Sequence, residues 1–227
     1  MVTPLLQSKQ INLSLADPAP AAEQAGWQQE MKSAFRSAKE LCQFLRIDPE
    51  AAGVSERAAT QFPVFVPRNF ALRIHPGDPD DPLLRQVLNS NAEDVTPEDY
   101  TTDPIAENRA LIAPGILQKY QGRALMIATG VCAVHCRYCF RRHFPYQDSP
   151  QGEHLWSQSL EAIRADSGIQ EILLSGGDPL ILPDVQLSQL IGLIEDVPHI
   201  RRLRIHTRTP IMIPSRITDP LLERLQD

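Results

Sequence analysis

No run of about 18 or more apolar residues occurs in the sequence, so no membrane-spanning helix is expected. The opening residues, MVTPLLQSKQINLSLADPAPAAEQ, lack the basic start and apolar stretch of a secretory leader, and a cytoplasmic protein is expected. An excess of positive charge is also missing. Lys and Arg total 22 against 28 Asp and Glu, a net charge of −6, which disfavours nucleic acid as a partner because phosphate binding draws on a positive field. Glycine is scarce, 11 residues against 20 prolines, so stiff turns are expected more than flexible linkers. There are only four cysteines, and in a reducing compartment they are expected as thiols open to a metal or cluster, not as disulfides. No internal repeat is visible.

What is present fits a soluble globular chain. Its 227 residues are 42% hydrophobic and 22% charged, enough for one large domain or a domain with an extension. Residues 27–46 predict one amphipathic helix, with Trp27, Met31, Phe35, Ala38, Leu41 and Leu45 at helical spacing and Cys42 beside them as a small buried residue. Residues 62–75 carry Pro63 and Pro67 and read as irregular or as an edge strand. Asp81-Pro82 predicts a helix start that runs to about Leu88. Residues 91–118 read as a long wrapping loop.

From residue 123 the pattern changes. Arg123–Gly130, Glu171–Gly177 and Arg202–Arg208 are short apolar or mixed runs that predict buried strands. Residues 153–167 and 184–196 predict helices between them, and Asp219-Pro220 predicts a third helix start. Strand and helix alternate, which is the signature of βα units around a parallel sheet. In such α/β folds ligands bind beyond the carboxyl ends of the strands. A cysteine loop, a Ser-Gly-Gly-Asp turn and a His-Thr-Arg-Thr segment all fall at those ends.

Cys132, Cys136 and Cys139 form CxxxCxxC. Most iron–sulfur clusters are held by four cysteine thiolates. A compact set of three leaves one iron of a [4Fe–4S] cube without a protein ligand, open to a chelating substrate. A zinc site completed by His135 or His143 uses the same cysteines, so the spacing alone leaves a zinc-stabilised interaction module as an alternative.

The stretch CAVHCRYCFRRHFPY, with PGILQKYQGRAL (114–125), LLSGGDPL (173–180) and LRIHTRTPIMIPSRIT (203–218), resembles the radical S-adenosylmethionine (SAM) superfamily and, within it, the lysine 2,3-aminomutase family. The form CRYCFRRHFPY, with PDDPLLRQVL upstream, is most similar to members that make β-lysine for translation elongation factor P. The resemblance implies an α/β fold, an incomplete (β/α) partial TIM-type barrel of about three βα units. Residues 1–118 would be an N-terminal helical and irregular extension and 119–227 the first half of the barrel. It implies an isomerase that converts L-α-lysine to β-lysine by PLP-assisted amino migration. Its cofactors would be a [4Fe–4S] cluster, SAM and pyridoxal 5′-phosphate (PLP).

Residue roles follow from the resemblance. Cys132, Cys136 and Cys139 would hold the cluster. Tyr138 would lie near the SAM adenine, and Ser175, Gly176, Gly177 and Asp178 would meet the SAM methionine group. Tyr120 and Arg123 would face the PLP phosphate, with Lys119 beside them. Arg141 would pair with the substrate carboxylate, as guanidinium groups grip carboxylates through two parallel bonds. His206 and Arg208 are further pocket residues. The partners implied are free lysine, a reductant for the cluster, a ligase linking β-lysine to elongation factor P, and a second copy of the chain in a homo-oligomer, with no nucleic acid and no membrane. The family's PLP-anchoring lysine and its side-chain-binding acids are expected beyond Asp227, so the sequence reads as the N-terminal portion of a longer protein, inactive as an aminomutase by itself. A radical SAM enzyme without PLP is the alternative enzyme.

Overall fold

A computed structural model describes residues 21–95, 97–98, 100–146 and 153–226. The chain opens with α1 (Ala21–Lys32) and α2 (Ala38–Leu45). The single helix expected over 27–46 is therefore two. Phe35 leaves the helical path to exchange backbone hydrogen bonds with Val66, at 2.8 and 3.0 Å. Ser37 restarts the helix by accepting from the Glu40 N–H, the side-chain cap that serine favours. Arg46, at φ 57°, ends α2 in the left-handed region. Cys42 is fully buried in this layer, and burial first and Asp48 second push its thiol pKa up.

Two short helices follow, α3 (Glu56–Gln61) and α4 (Arg68–Ala71). Asp81 accepts from the Leu83 and Leu84 N–H groups at 2.7 and 3.2 Å, so the expected cap is present. Only a 3₁₀ turn over Leu84–Gln86 follows it, not a helix to Leu88. The loop expected over 91–118 is more structured than its composition suggests. It holds 3₁₀ turns at Asn91–Asp94 and Glu107–Ala110, then β1 (Leu111–Ala113) and β2 (Ile116–Tyr120). Gly115, at φ 74°, makes the turn between these strands.

The remainder alternates as the sequence predicts: β3 (Arg123–Thr129), α5 (Glu153–Ala165), β4 (Glu171–Gly176), α6 (Asp184–Glu195), β5 (Arg202–Ile205), a one-turn α7 (Thr209–Met212) and α8 (Asp219–Gln226). β3, β4 and β5 are parallel neighbours, and β1–β2 extends the sheet antiparallel beside β3. The α/β class and the three βα units are thus present. β5 is shorter than expected, because the residues after it turn away to a carboxylate described below.

Two apolar cores form. One lies between the sheet and its helices, with Trp156, Leu160, Ile163, Leu190 and Leu221 packed on Met126, Ile172 and Leu174. The other gathers Leu41, Leu45, Val66, Phe70 and Ile74 from the N-terminal helices with Ala133 and Val134 of the cysteine loop and Met212 and Ile213 of the β5–α8 connection. The N-terminal layer is therefore built against the mouth of the sheet. Among the described residues no helix is long and apolar enough to cross a membrane.

Candidate active site

The cysteine loop leaves β3 at Thr129. Ala133 and Val134, 1% and 4% exposed, bury its middle in the N-terminal core and leave Cys132, Cys136 and Cys139 partly exposed as free thiols. The three sulfurs share one neighbourhood. Burial first, then the Asp178 carboxylate and the Cys139 and Cys136 sulfurs, push the Cys132 thiol up to about 12, with Arg141 opposing. Burial also pushes Cys136 up, against Arg208. Thiols so disfavoured as bare anions need a metal cation to hold them as thiolates.

Among the described residues no three His, Cys, Asp or Glu side chains gather around a single metal ion. His135 is turned to structure: its Nδ1 donates to the Pro63 carbonyl at 2.9 Å and its ring stacks on Phe62. His143 is exposed. No Cys₃His set is therefore assembled. A cube spaces its thiolates more widely than one ion does, and the donor set, three thiols on one loop at the sheet mouth, fits a cluster.

The N-terminal layer holds that loop from outside. Glu93 accepts from Arg137 Nε at 3.0 Å, from Arg137 Nη2, and from Arg142 Nη2 at 2.6 Å. Both guanidinium groups also lie over the Phe62 ring. Burial opposes ionisation of Glu93, but these donors and the Ser90 N–H hold its carboxyl below the usual range. Arg142 is thus part of this clamp.

The Ser175–Asp178 turn follows β4 and lies against the loop. Gly176 has φ 112°, and a Cβ there would stand 2.5 Å from the Thr129 carbonyl oxygen; one on Gly177 would stand 2.2 Å from that of Val131. Glycine is required at both for close backbone approach. The Gly177 and Asp178 N–H groups donate to Thr129 and Val131 carbonyls, each at 2.7 Å. Asp178 is saturated: Oδ1 accepts from Thr207 Oγ1 and Leu180 N, and Oδ2 from Arg208 N and Thr209 N, at 2.6 to 3.1 Å. It braces the β4 turn to the segment after β5, which is why β5 stops at Ile205.

Arg141 is buried. Its Nε and Nη2 donate to Glu107 at 2.7 and 2.6 Å, and Nη1 donates to Ser175 Oγ at 2.9 Å. Desolvation opposes its charge, but the Glu107 contacts prevail and raise its pKa. Tyr138 is exposed at the rim, with Arg208 over its ring. His206 is exposed. Tyr146, beside Arg141, donates to the Gly176 carbonyl at 2.7 Å.

Tyr120 and Arg123 are together, with the Arg123 guanidinium 4.6 Å from the Tyr120 ring centre. They stand at the other end of the strands. Arg123 pairs in register with Glu171, and Glu171 with Arg202, at the strand starts. They line a cleft of about 480 Å³ with Gln170, Arg201 and Arg202. β3 runs from there to the cysteine loop, a span of roughly 20 Å at strand rise. The structure therefore does not bring these two residues to the site of Cys132, Arg141 and Ser175. Lys119 donates to the Ile105 carbonyl.

Sequence reading missed Glu107, Glu93, Gln86 and Tyr146. Ser90-x-x-Glu93 carried a visible capping-box pattern. Glu107 carried none, standing among the acidic residues of an apparent loop.

Residues 126–227 match the radical SAM superfamily. L-Lysine 2,3-aminomutase of Escherichia coli (strain K12) is 45% identical over 198 residues, covering 87% of this chain and 58% of that protein. The enzyme of the same name from Haemophilus influenzae is 45% identical over 197 residues, with the same two shares. That from Clostridium subterminale is 30% identical over 203 residues, 88% of this chain and 48% of that protein. The chain thus spans about half to three-fifths of the length of these curated relatives.

Proposed function

Because the chain belongs to the radical SAM superfamily and aligns with lysine 2,3-aminomutases over 87% of its length, we propose that it forms the cluster- and SAM-binding part of a lysine 2,3-aminomutase. The observation that carries this reading is the convergence of three free thiols, the double-glycine turn and a buried arginine at the carboxyl ends of parallel strands. When bound, cluster and SAM supply a carbon radical that removes hydrogen from substrate, and PLP supplies the support for amino migration.

In this reading Cys132, Cys136 and Cys139 would hold the cluster and leave it open to SAM. The Ser175–Gly177 backbone meets the methionine end of SAM, and Asp178 contributes as the brace that fixes the turn. Tyr138 offers its exposed ring to the adenine. Arg141 is the residue for the substrate carboxylate, with Glu107 holding its guanidinium in place. The buried surroundings of Arg141 exclude water and strengthen each charge contact. Residues 1–118 are the N-terminal extension, whose described part clamps the mouth, and 119–227 the half barrel, in the cytoplasm. Delivery of β-lysine to a ligase for elongation factor P is the finest part of the proposal, supported by the CRYCFRRHFPY form with PDDPLLRQVL upstream.

Tyr120 and Arg123 do not fit a PLP phosphate site shared with the cysteine rim, and no step passes through them. Their separation favours one second reading, a radical SAM enzyme that works without PLP. Anaerobic reconstitution of the chain with iron and sulfide tests the first claim. About four iron per chain, with a [4Fe–4S] signature, is expected; one zinc and no sulfide overturns it. β-Lysine formation and PLP absorbance in the protein extended to the length of its relatives separate the two enzyme readings.

A further inference from the structure

We infer that Arg208 raises the reduction potential of the cluster held on the cysteine loop, by donating from its guanidinium to the Cys136 sulfur. The inference rests on the cluster reading above. Nη1 of Arg208 stands 2.8 Å from Cys136 Sγ and also donates to the Tyr138 hydroxyl, while Nη2 donates to Gln86 Oε1 at 3.1 Å. The guanidinium carbon is 5.2 Å from the centre of the Tyr138 ring.

The base of the side chain is equally fixed. Asp178 Oδ2 accepts from the N–H groups of Arg208 and Thr209 at 2.7 and 3.0 Å, and Oδ1 accepts from Thr207 Oγ1 at 2.6 Å. A carboxylate on a buried turn thus aims the residue, and a glutamine, an aromatic face and a sulfur receive its head.

Reduction adds one negative charge to a cluster and its thiolates. A fixed cation with an N–H directed at a ligating sulfur stabilises the reduced state more than the oxidised one, so the potential rises. Arginine keeps its charge throughout the working pH range, so this bias is permanent. Among the described residues no side chain donates to the sulfur of Cys132 or Cys139, and Cys132 instead faces the Asp178 carboxylate. Arg208 is a positioning and tuning residue, acting on the cluster through a ligand sulfur.

The test is an EPR-monitored redox titration of the reconstituted chain without SAM, comparing wild type with Arg208→Gln and Arg208→Lys. Arg208→Gln is expected to lower the reduced-to-oxidised ratio at a fixed solution potential about tenfold, a shift of about 59 mV downward for one electron. Arg208→Lys, which keeps the charge, is expected to stay nearer wild type. Full iron content with an unmoved or raised potential in Arg208→Gln overturns the inference. If Arg208→Gln fails to retain a cluster, Gln86→Leu carries the test, since it releases Nη2: a lowered potential supports the inference and an unmoved one overturns it. A wild-type chain that takes up no iron and sulfide defeats the cluster reading itself, and the inference with it.

Discussion

Glu107 and Arg141 are joined by two parallel hydrogen bonds, Nε to Oε2 at 2.7 Å and Nη2 to Oε1 at 2.6 Å, with each side chain 6% exposed. They are 34 residues apart in sequence, so the pair ties the segment before β1 to the loop after the third cysteine. Removing one partner of a buried ion pair strands the other charge and costs about 3–5 kcal/mol. Glu107→Leu is expected to lower urea stability by that order. Arg141→Met together with Glu107→Leu is expected to recover much of the loss. A loss in the double variant equal to the sum of the losses in Glu107→Leu and Arg141→Met alone would show that the pair contributes no coupling.

Each of Cys132→Ser, Cys136→Ser and Cys139→Ser is expected to prevent stable cluster uptake, while Cys42→Ala leaves iron per chain unchanged. Cys42 is sealed in the N-terminal core, whereas the three motif thiols are partly exposed. Iron and sulfide analysis after desalting distinguishes the two groups, and an iron loss in Cys42→Ala would move that residue into the site.

Gly177→Ala places a Cβ 2.2 Å from the Val131 carbonyl oxygen, and the obstacle is backbone. The β4 turn must then back away from the cysteine loop. Iron retention is expected to fall several-fold with helix content little changed. Gly192→Ala, where a Cβ meets nothing within 4 Å, is the matched control and should retain iron as wild type does.

Asp178→Asn replaces an oxygen facing two backbone N–H groups with either a donor or a lone acceptor. The loss of buried charge-assisted bonds costs about 1–3 kcal/mol. Thermal unfolding should show it, and the segment after β5 should exchange amide hydrogen faster than in wild type.

Asp81 accepts from His75 and from the Leu83 and Leu84 N–H groups. Burial opposes its ionisation, yet those donors hold its carboxyl at about 2, below the usual 3.8. A depressed carboxylate stabilises the fold above its unfolded pKa, and that stability is lost as pH falls through the folded value. That contribution is present near about pH 5 and lost between about pH 4 and pH 2. Asp81→Asn should flatten that part of the stability profile; an unchanged slope would remove Asp81 as its source.

Much of the architecture was legible because periodicity and burial agree there. Trp156, Leu160 and Ile163 lie on one face of α5, and Leu187, Leu190, Ile191 and Ile194 on that of α6; both faces are buried as their spacing implies. The rim placement of the cysteines followed from βα order. The break between α1 and α2 was not legible, because Phe35 keeps the helical apolar spacing while its backbone pairs with Val66, a residue distant in sequence. β1 escaped because it has three residues and shows solvent two of them. The last helix is capped by Thr218, not by Asp219: the Leu221 N–H donates to the Thr218 hydroxyl. Glu107 and Glu93 act through partners on another segment, and a local pattern does not carry that information.

The two cores divide the molecule by what each supports. Ala133 and Val134 belong with Leu41, Phe70 and Ile74, not with the sheet that the loop leaves. A lesion at Phe70, more than sixty residues before the first thiol of the motif, is therefore felt first as metal loss. The strands behind, packed on Trp156 and Leu190, keep their order while the mouth opens, so iron content reports on the health of the N-terminal helices and amide exchange in β3 and β4 on that of the barrel half.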